Sequence, residues 1–396
     1  MTERRAILCL ALGQTIFWAG TFYLFPALLL RWESALGWSK TTLTGAFAGA
    51  VVVSALCSPI AGRLIDRGRG PAMMALSGLA GALLIGSLAL AGEVWQFVAI
   101  WLLIGIAMSG SLYEPCFALV TRASGELARR RITLITLIAG FAGTLSFPLN
   151  HVVAEWGGWP AAVLVFAALM ALIGVPATWL GARYLEAGRP ADADSLPLTA
   201  EEAAARPFLR RPAFWLLAAA FSLLVMTHSV ILSHLLPILA DRGLAVSQAV
   251  LAASMIGPMQ VAGRLAVVAF ERHIGTRSIT VACFLAVVVG VLCLIGAVAV
   301  PFLVALFVLL HGSGFGVTSI MKPVTTRDIL GSRNFGMMNG ALAVPYLTAA
   351  ALAPFVGSLI WEAGGYTLVL EVVTATALAG LVCYLLASRA PAVSGP

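Results

Sequence analysis

Charge is what this chain lacks most. Of its 396 residues only 10% are Asp, Glu, Lys or Arg, where a water-soluble domain carries roughly a quarter. A soluble globular protein is excluded on that ground. Histidine is scarce as well, with five residues, and no His-x-x-x-His, Asp-x-x-Asp or comparable cluster of acid/base groups or ligands occurs. An integral-membrane enzyme would need such a cluster near one interface, so no catalytic residue, metal or cofactor is expected. The six cysteines (Cys9, Cys57, Cys116, Cys283, Cys293 and Cys383) fall singly in apolar runs and match neither a disulfide framework nor a zinc site. The net charge of +7 does not call for nucleic acid, because a membrane protein gathers such an excess in its cytoplasmic loops.

Hydrophobic residues make up 61% of the chain. Crossing roughly 30 Å of hydrocarbon takes about 20 of them in a helix. Apolar runs between charged or turn-rich breaks place spans at 6–30, 41–61, 72–91, 95–120, 132–153 and 160–180, then at 212–239, 247–270, 278–298, 301–321, 336–360 and 366–388. The expected fold class is all-α integral membrane, with twelve transmembrane helices in two six-helix bundles at 1–180 and 212–396. Residues 181–211 join them as a linker carrying Asp192, Asp194, Glu201 and Glu202, with room for a short amphipathic helix. The first run follows Arg4 and Arg5 but is too long for a signal h-region and lacks a small-residue cleavage site, so it reads as a retained helix.

Orientation follows from Lys and Arg. With the N-terminus in the cytoplasm, 21 of the 24 basic residues fall on inner segments, and only Arg31, Lys40 and Arg242 fall outside. The positive-inside rule then puts both termini in the cytoplasm of a multi-pass inner-membrane protein.

Landmarks recur between the halves. Pro26 and Arg31 correspond to Pro237 and Arg242 at an offset of 211. Gly62-Arg63-Leu64 returns as Gly263-Arg264-Leu265 at 201, and Pro148 with Gly157-Gly158 returns as Pro354 with Gly364-Gly365 at 206 and 207. A duplicated six-helix unit is the architecture of many secondary transporters.

The loop between spans 2 and 3 reads Gly62-Arg63-Leu64-Ile65-Asp66-Arg67-Gly68-Arg69-Gly70. An ordinary basic loop explains its arginines but not the glycine spacing or the lone aspartate. This string resembles the signature loop of the major facilitator superfamily. The resemblance implies alternating access and a gating role for Gly62, Asp66, Arg67 and Arg69. A second copy is degraded to Glu271-Arg272 followed by Gly275 and Arg277. Gly37-Trp38-Ser39, Ser58-Pro59-Ile60-Ala61 and the basic run before span 5 are distantly similar to bacterial oxalate/formate and monocarboxylate carriers. Those carriers keep basic residues deep in their second half, whereas Lys322 and Arg264 here fall toward inner ends of spans.

Polar groups inside spans are expensive and each needs a reason. Glu114 admits two readings: a proton carrier, or a latch pairing with the loop arginines. Near mid-depth lie Gln14, with Phe17 and Trp18 a turn beyond it, His228, Gln260, and His311 within His311-Gly312-Ser313-Gly314. These are amides, imidazoles and rings, so the expected substrate is a small neutral or delocalised organic solute that hydrogen-bonds and stacks. His311 and Glu114 are the candidate proton-coupling groups. Efflux of a toxic compound or metalloid and uptake of a vitamin-like nutrient both fit, and exchange of a monocarboxylate is the alternative. Protons are the expected coupling ion, and a monomer in the lipid bilayer the expected assembly.

Overall fold

The computed structural model describes residues 2–188, 207–270, 274–332 and 334–389. The expected linker helix, the Glu271-Arg272 pair and the tail beyond Arg389 lie outside the described residues. Among the described residues there is no strand, and ten helical stretches are long and apolar enough to cross a membrane. Two of the ten are double. Ala128–Ala187 has 60 residues and Phe335–Ala387 has 53, which would reach about 80 to 90 Å if straight, nearly three times the hydrocarbon thickness.

Each double stretch breaks at a Gly-Gly pair. Gly157 (φ −130°, ψ 16°) and Gly158 (φ 70°, ψ 179°) break the first, and Gly364 (φ −169°, ψ 24°) and Gly365 (φ 70°, ψ −172°) break the second. The second glycine of each pair has a positive φ that a side chain disfavours. Among the described residues, eight single stretches and two double ones are consistent with the twelve spans expected from composition. The two breaks share one backbone conformation, so the sequence repeat is also a repeat of local structure.

Span 1 consists of α1 (Glu3–Gly20) and α2 (Leu24–Leu36), span 2 of α3 (Lys40–Asp66) and span 3 of α4 (Gly70–Ser87). Span 4 consists of α5 (Val94–Ser111) and α6 (Tyr113–Ser124). Spans 5 and 6 run through α7 (Ala128–Ala139), α8 (Ala142–Leu169), a π turn at Met170–Gly174 and α9 (Val175–Ala187). Spans 7 to 10 are α10 (Pro212–Asp241), α11 (Val246–Phe270), α12 (Thr276–Gly296) and α13 (Leu303–Leu330), and α14 (Phe335–Ala387) carries spans 11 and 12.

Spans 1 and 4, expected as single helices, are each broken. In span 1 the Thr21 hydroxyl bonds the Phe17 carbonyl at 2.6 Å beside the step between α1 and α2. In span 4, Leu112 is extended (φ −85°, ψ −158°). Pro115 has no N–H to offer the carbonyl four residues back, so Ser111 O is released and accepts the Gln14 amide at 2.7 Å instead.

The chain divides into two compact units, Met1–Thr199 with Arg333–Val344, and Ala200–Ser332 with Pro345–Pro396. The first unit packs around Phe17, Phe25, Trp32, Phe97, Trp101 and Phe166, and the second around Ile231, Leu235, Ile238, Leu294, Phe307 and Leu370.

Candidate functional site

In the first unit, the α1/α2 step and the α5/α6 break bring aromatic rings together. Trp18 lies 4.7 Å from Tyr113 and 5.1 Å from Phe22, Tyr113 stacks on Phe117 at 4.7 Å, and Phe22 meets Phe47 at 5.3 Å. Trp18, Phe22, Tyr23, Phe47 and Tyr113 are only half-buried, so they form an open shelf rather than a closed core. Two polar atoms in this region are shielded without a hydrogen-bond partner, the Trp18 indole nitrogen and Gln14 Oε1. A shielded donor and a shielded acceptor beside ring faces suit a flat solute with polar edges. Phe17 is placed differently. It is fully buried, and a Cβ at Gly78 or Gly174 would press on its ring. It supports α1 from inside the unit and does not join the shelf.

At the arginine-rich end of the same unit, Asp66 closes span 2. Its two carboxylate oxygens accept the backbone N–H groups of Gly336 and Met337, each at 2.8 Å. Those donors belong to the first turn of α14, where no intrahelical acceptor exists and where negative charge is favoured. Gly62 lies one turn earlier, and a Cβ there would overlap the Gly336 carbonyl. Gly68 (φ 73°) carries the turn, with its N–H on Ile65 O and that of Arg69 on Leu64 O, both at 2.9 Å. Arg67 and Arg69 are exposed. Arg122 donates to Ile65 O and lies 3.5 Å from Glu186. Glu114 accepts a 2.9 Å bond from Asn339 on the first turns of α14, a partner that the sequence alone had not suggested.

At the opposite end, Arg31 pairs with Glu155 at 2.5 Å and approaches His151 at 3.4 Å. The bond to Arg31 and its positive charge hold the Glu155 carboxyl below the usual carboxylate range.

In the second unit, His228 of α10 and His311 of α13 are both buried, with His228 Nδ1 3.0 Å from His311 Nε2. Phe315 stacks on His228 at 3.4 Å. Gln260 is half-buried, at a contact where Gly316 lets α13 approach α11 so closely that a Cβ would touch the Gln260 backbone. Lys322 and Arg264 are buried, at 4% and 8% exposure. The Lys322 ammonium lies 4.1 Å from the Tyr346 ring centroid, and Arg264 Nε donates to Gly316 O at 2.9 Å. A repeat would have flagged the pair Glu114 and Lys322, since a charge followed by proline recurs as Glu114-Pro115 and Lys322-Pro323 at an offset of 208.

Ten long apolar stretches among the described residues, two of them double, a sequence repeat between the halves and polar groups set into broken helices point to a membrane carrier. The Major Facilitator Superfamily profile matches residues 10–321, and the chain belongs to that superfamily: it is a transporter and not an enzyme. It is 29% identical over 169 residues to "Multi-drug resistance efflux pump PmrA homolog" of Lactococcus lactis subsp. lactis, a match covering 40% of this chain and 41% of that protein. The chain thus aligns with about two fifths of that relative's length. Among solved structures, the human organic anion transporter MFSD10 (TETRAN) is similar at TM-score 0.69 and 18% identity, covering 97% of this chain and all of that one. The proton:xylose symporter XylE is similar at TM-score 0.73 and 13% identity, covering 98% and 96%. A bacterial homologue of the iron transporter ferroportin is similar at TM-score 0.75 and 15% identity, covering 98% and 100%. At these identities the likeness is one of fold.

Proposed function

We propose that this chain is a secondary active carrier of the bacterial inner membrane. It works by alternating access of two six-helix halves, 1–180 and 212–396, joined by a linker at 181–211, with both termini in the cytoplasm. It acts as a monomer and exports a small, flat, neutral or charge-delocalised organic compound, with protons as the coupling ion. The observation that carries this reading is the half-open shelf of Trp18, Phe22, Tyr23 and Tyr113 beside the unpartnered Trp18 nitrogen and Gln14 Oε1. Similarity to a multidrug efflux pump homologue supports export. Gln14 and Trp18 bind the solute in the first half, with Phe17 buttressing them; His228, Gln260 and His311 serve the second half. His311 and Glu114 carry the coupling proton, and Gly62, Asp66, Arg67 and Arg69 form the gating loop.

The test is accumulation of a flat delocalised dye such as ethidium in cells with and without the chain. Expression is expected to lower accumulation, and Trp18→Ala to restore it. Transport confined to small carboxylates, unaffected by Trp18→Ala, would overturn the reading. A second reading, an organic-anion exchanger, is favoured by one observation, the burial of Lys322 and Arg264. It requires transport to fail in Lys322→Gln while surviving Trp18→Ala.

A further inference from the structure

We infer that His228 and His311 form one proton-binding unit, which takes up a single proton through His228 Nε2. The inference deepens the transport reading, which uses His311 as a proton carrier, by assigning its partner, its capacity and its point of entry.

The two rings are nearly parallel (14°), with His228 Nδ1 3.0 Å from His311 Nε2. Neutral imidazole has one N–H and one lone pair, so the neutral pair holds two protons over four nitrogens, one of them in the bridge. When His228 donates the bridging proton, His228 Nε2 is a bare lone pair and His311 Nδ1 carries the other proton. Uptake of a third proton at His228 Nε2 gives an imidazolium whose charge the bridge shares with His311. A fourth would place two protons in the 3.0 Å bridge and two positive charges on touching rings, which the site does not accommodate. Capacity is therefore one.

The point of entry follows from burial. His311 has no exposed surface, and its Nδ1 is shielded without a partner, whereas His228 keeps 5% exposure and its Nε2 is not a shielded atom. A proton can reach the pair only at His228. Phe315 lies flat on His228 at 3.4 Å, and Phe307 lies 5.2 Å from His311. These ring faces are negative and suit a shared imidazolium. On α12 the backbone of Gly290 lies against His311, and the ionisable side chains of that helix near its middle, Cys283 and Cys293, are buried thiols. Arg264 on α11 is bonded to Gly316 O, Lys322 on α13 lies over Tyr346, about 16 Å along the helix from His311, and Glu371 on α14 is exposed. The pair is thus the titrating centre of its own surroundings, with no ion pair to either ring among the described residues.

The test uses the full chain, labelled with 15N-histidine in lipid nanodiscs. Its five histidines are assigned by single His→Gln substitutions. The expected results are nitrogen–nitrogen coupling across the bridge and a common titration midpoint for both rings. Potentiometric titration of the wild type minus the His228→Gln/His311→Gln double variant is expected to differ by one proton. His228→Phe, which keeps a ring against Phe315, should leave His311 unable to titrate. Separate midpoints, a difference of two protons, or no titration from acid to alkaline pH would each overturn the inference. Should the double variant fail to fold, the coupling and shared midpoint in the wild type decide. None of these readouts involves a solute, so their failure leaves the carrier reading standing, whereas absence of solute transport would strike that reading alone.

Discussion

Asp66 shows how much a single side chain can hold. Its two oxygens satisfy two backbone donors at the first turn of α14, and hydrogen bonds to a charged group contribute about 1.5–3 kcal/mol each. Asn at this position keeps one acceptor, turns a donor toward the other N–H and loses the charge. Asp66→Asn is expected to insert and fold normally but to lower solute turnover about tenfold, roughly 1.4 kcal/mol in a barrier; turnover in reconstituted vesicles checks this, and an unchanged rate would remove Asp66 from the gate. At the other end of the same unit, Arg31 lowers the Glu155 carboxyl below its ordinary range. A depressed carboxylate contributes stability above its unfolded pKa and loses it as pH falls through its folded one. Glu155→Gln is therefore expected to melt slightly below wild type at neutral pH, the difference vanishing in acid. A melting gap that grew in acid would contradict the assignment. Within the shelf, Trp18→Phe should retain much of the binding that Trp18→Ala loses, and the alanine variant is expected to raise KM about tenfold, the equivalent of about 1.4 kcal/mol.

Elements were legible in the sequence where one physical rule governed them. Hydrophobic length pointed to the regions where the ten long apolar helical stretches lie, and the recurrence of Gly157-Gly158 as Gly364-Gly365 marked the paired breaks within α8 and α14. The steps inside spans 1 and 4 were not legible, because hydropathy is blind to a helix that breaks while staying apolar. Pro115 was the available signal: it frees the carbonyl four residues back, and only the fold brings Gln14 there to receive it. A residue other than glycine held at positive φ with ψ near 180° costs about 1–3 kcal/mol. At Gly365 a Cβ would meet nothing within 4 Å, so Gly365→Ala isolates that conformational cost, while Gly62→Ala adds a clash with Gly336. Both are expected to lower the melting temperature, with Gly62→Ala the more damaging; the reverse order in a thermal shift series would refute the close approach.

For the whole molecule, class was readable from composition and chemistry was not. The sparse charge, the duplicated landmarks and the loop around Asp66 were enough to predict a two-bundle carrier. The partners of its polar groups come from far along the chain: Asn339 to Glu114 across 225 positions, and His228 to His311 across 83. No periodicity links such residues, so Gln14 and Trp18 could be named from depth alone, while the rings of Phe22 and Tyr113 that complete the shelf could not. Cysteines introduced beside Thr2 and Arg389 should both react with a membrane-impermeant reagent from the same side, the cytoplasmic one. Labelling from opposite sides would mean an odd number of crossings.

The Gly-Gly corners bear on how this protein can be handled. Where two helices meet at a bare pair of glycines, as at Gly157-Gly158 and again at Gly364-Gly365, no loop separates them to absorb added residues. Tags or reporter insertions placed at either corner should wreck assembly, so fusions are better joined elsewhere.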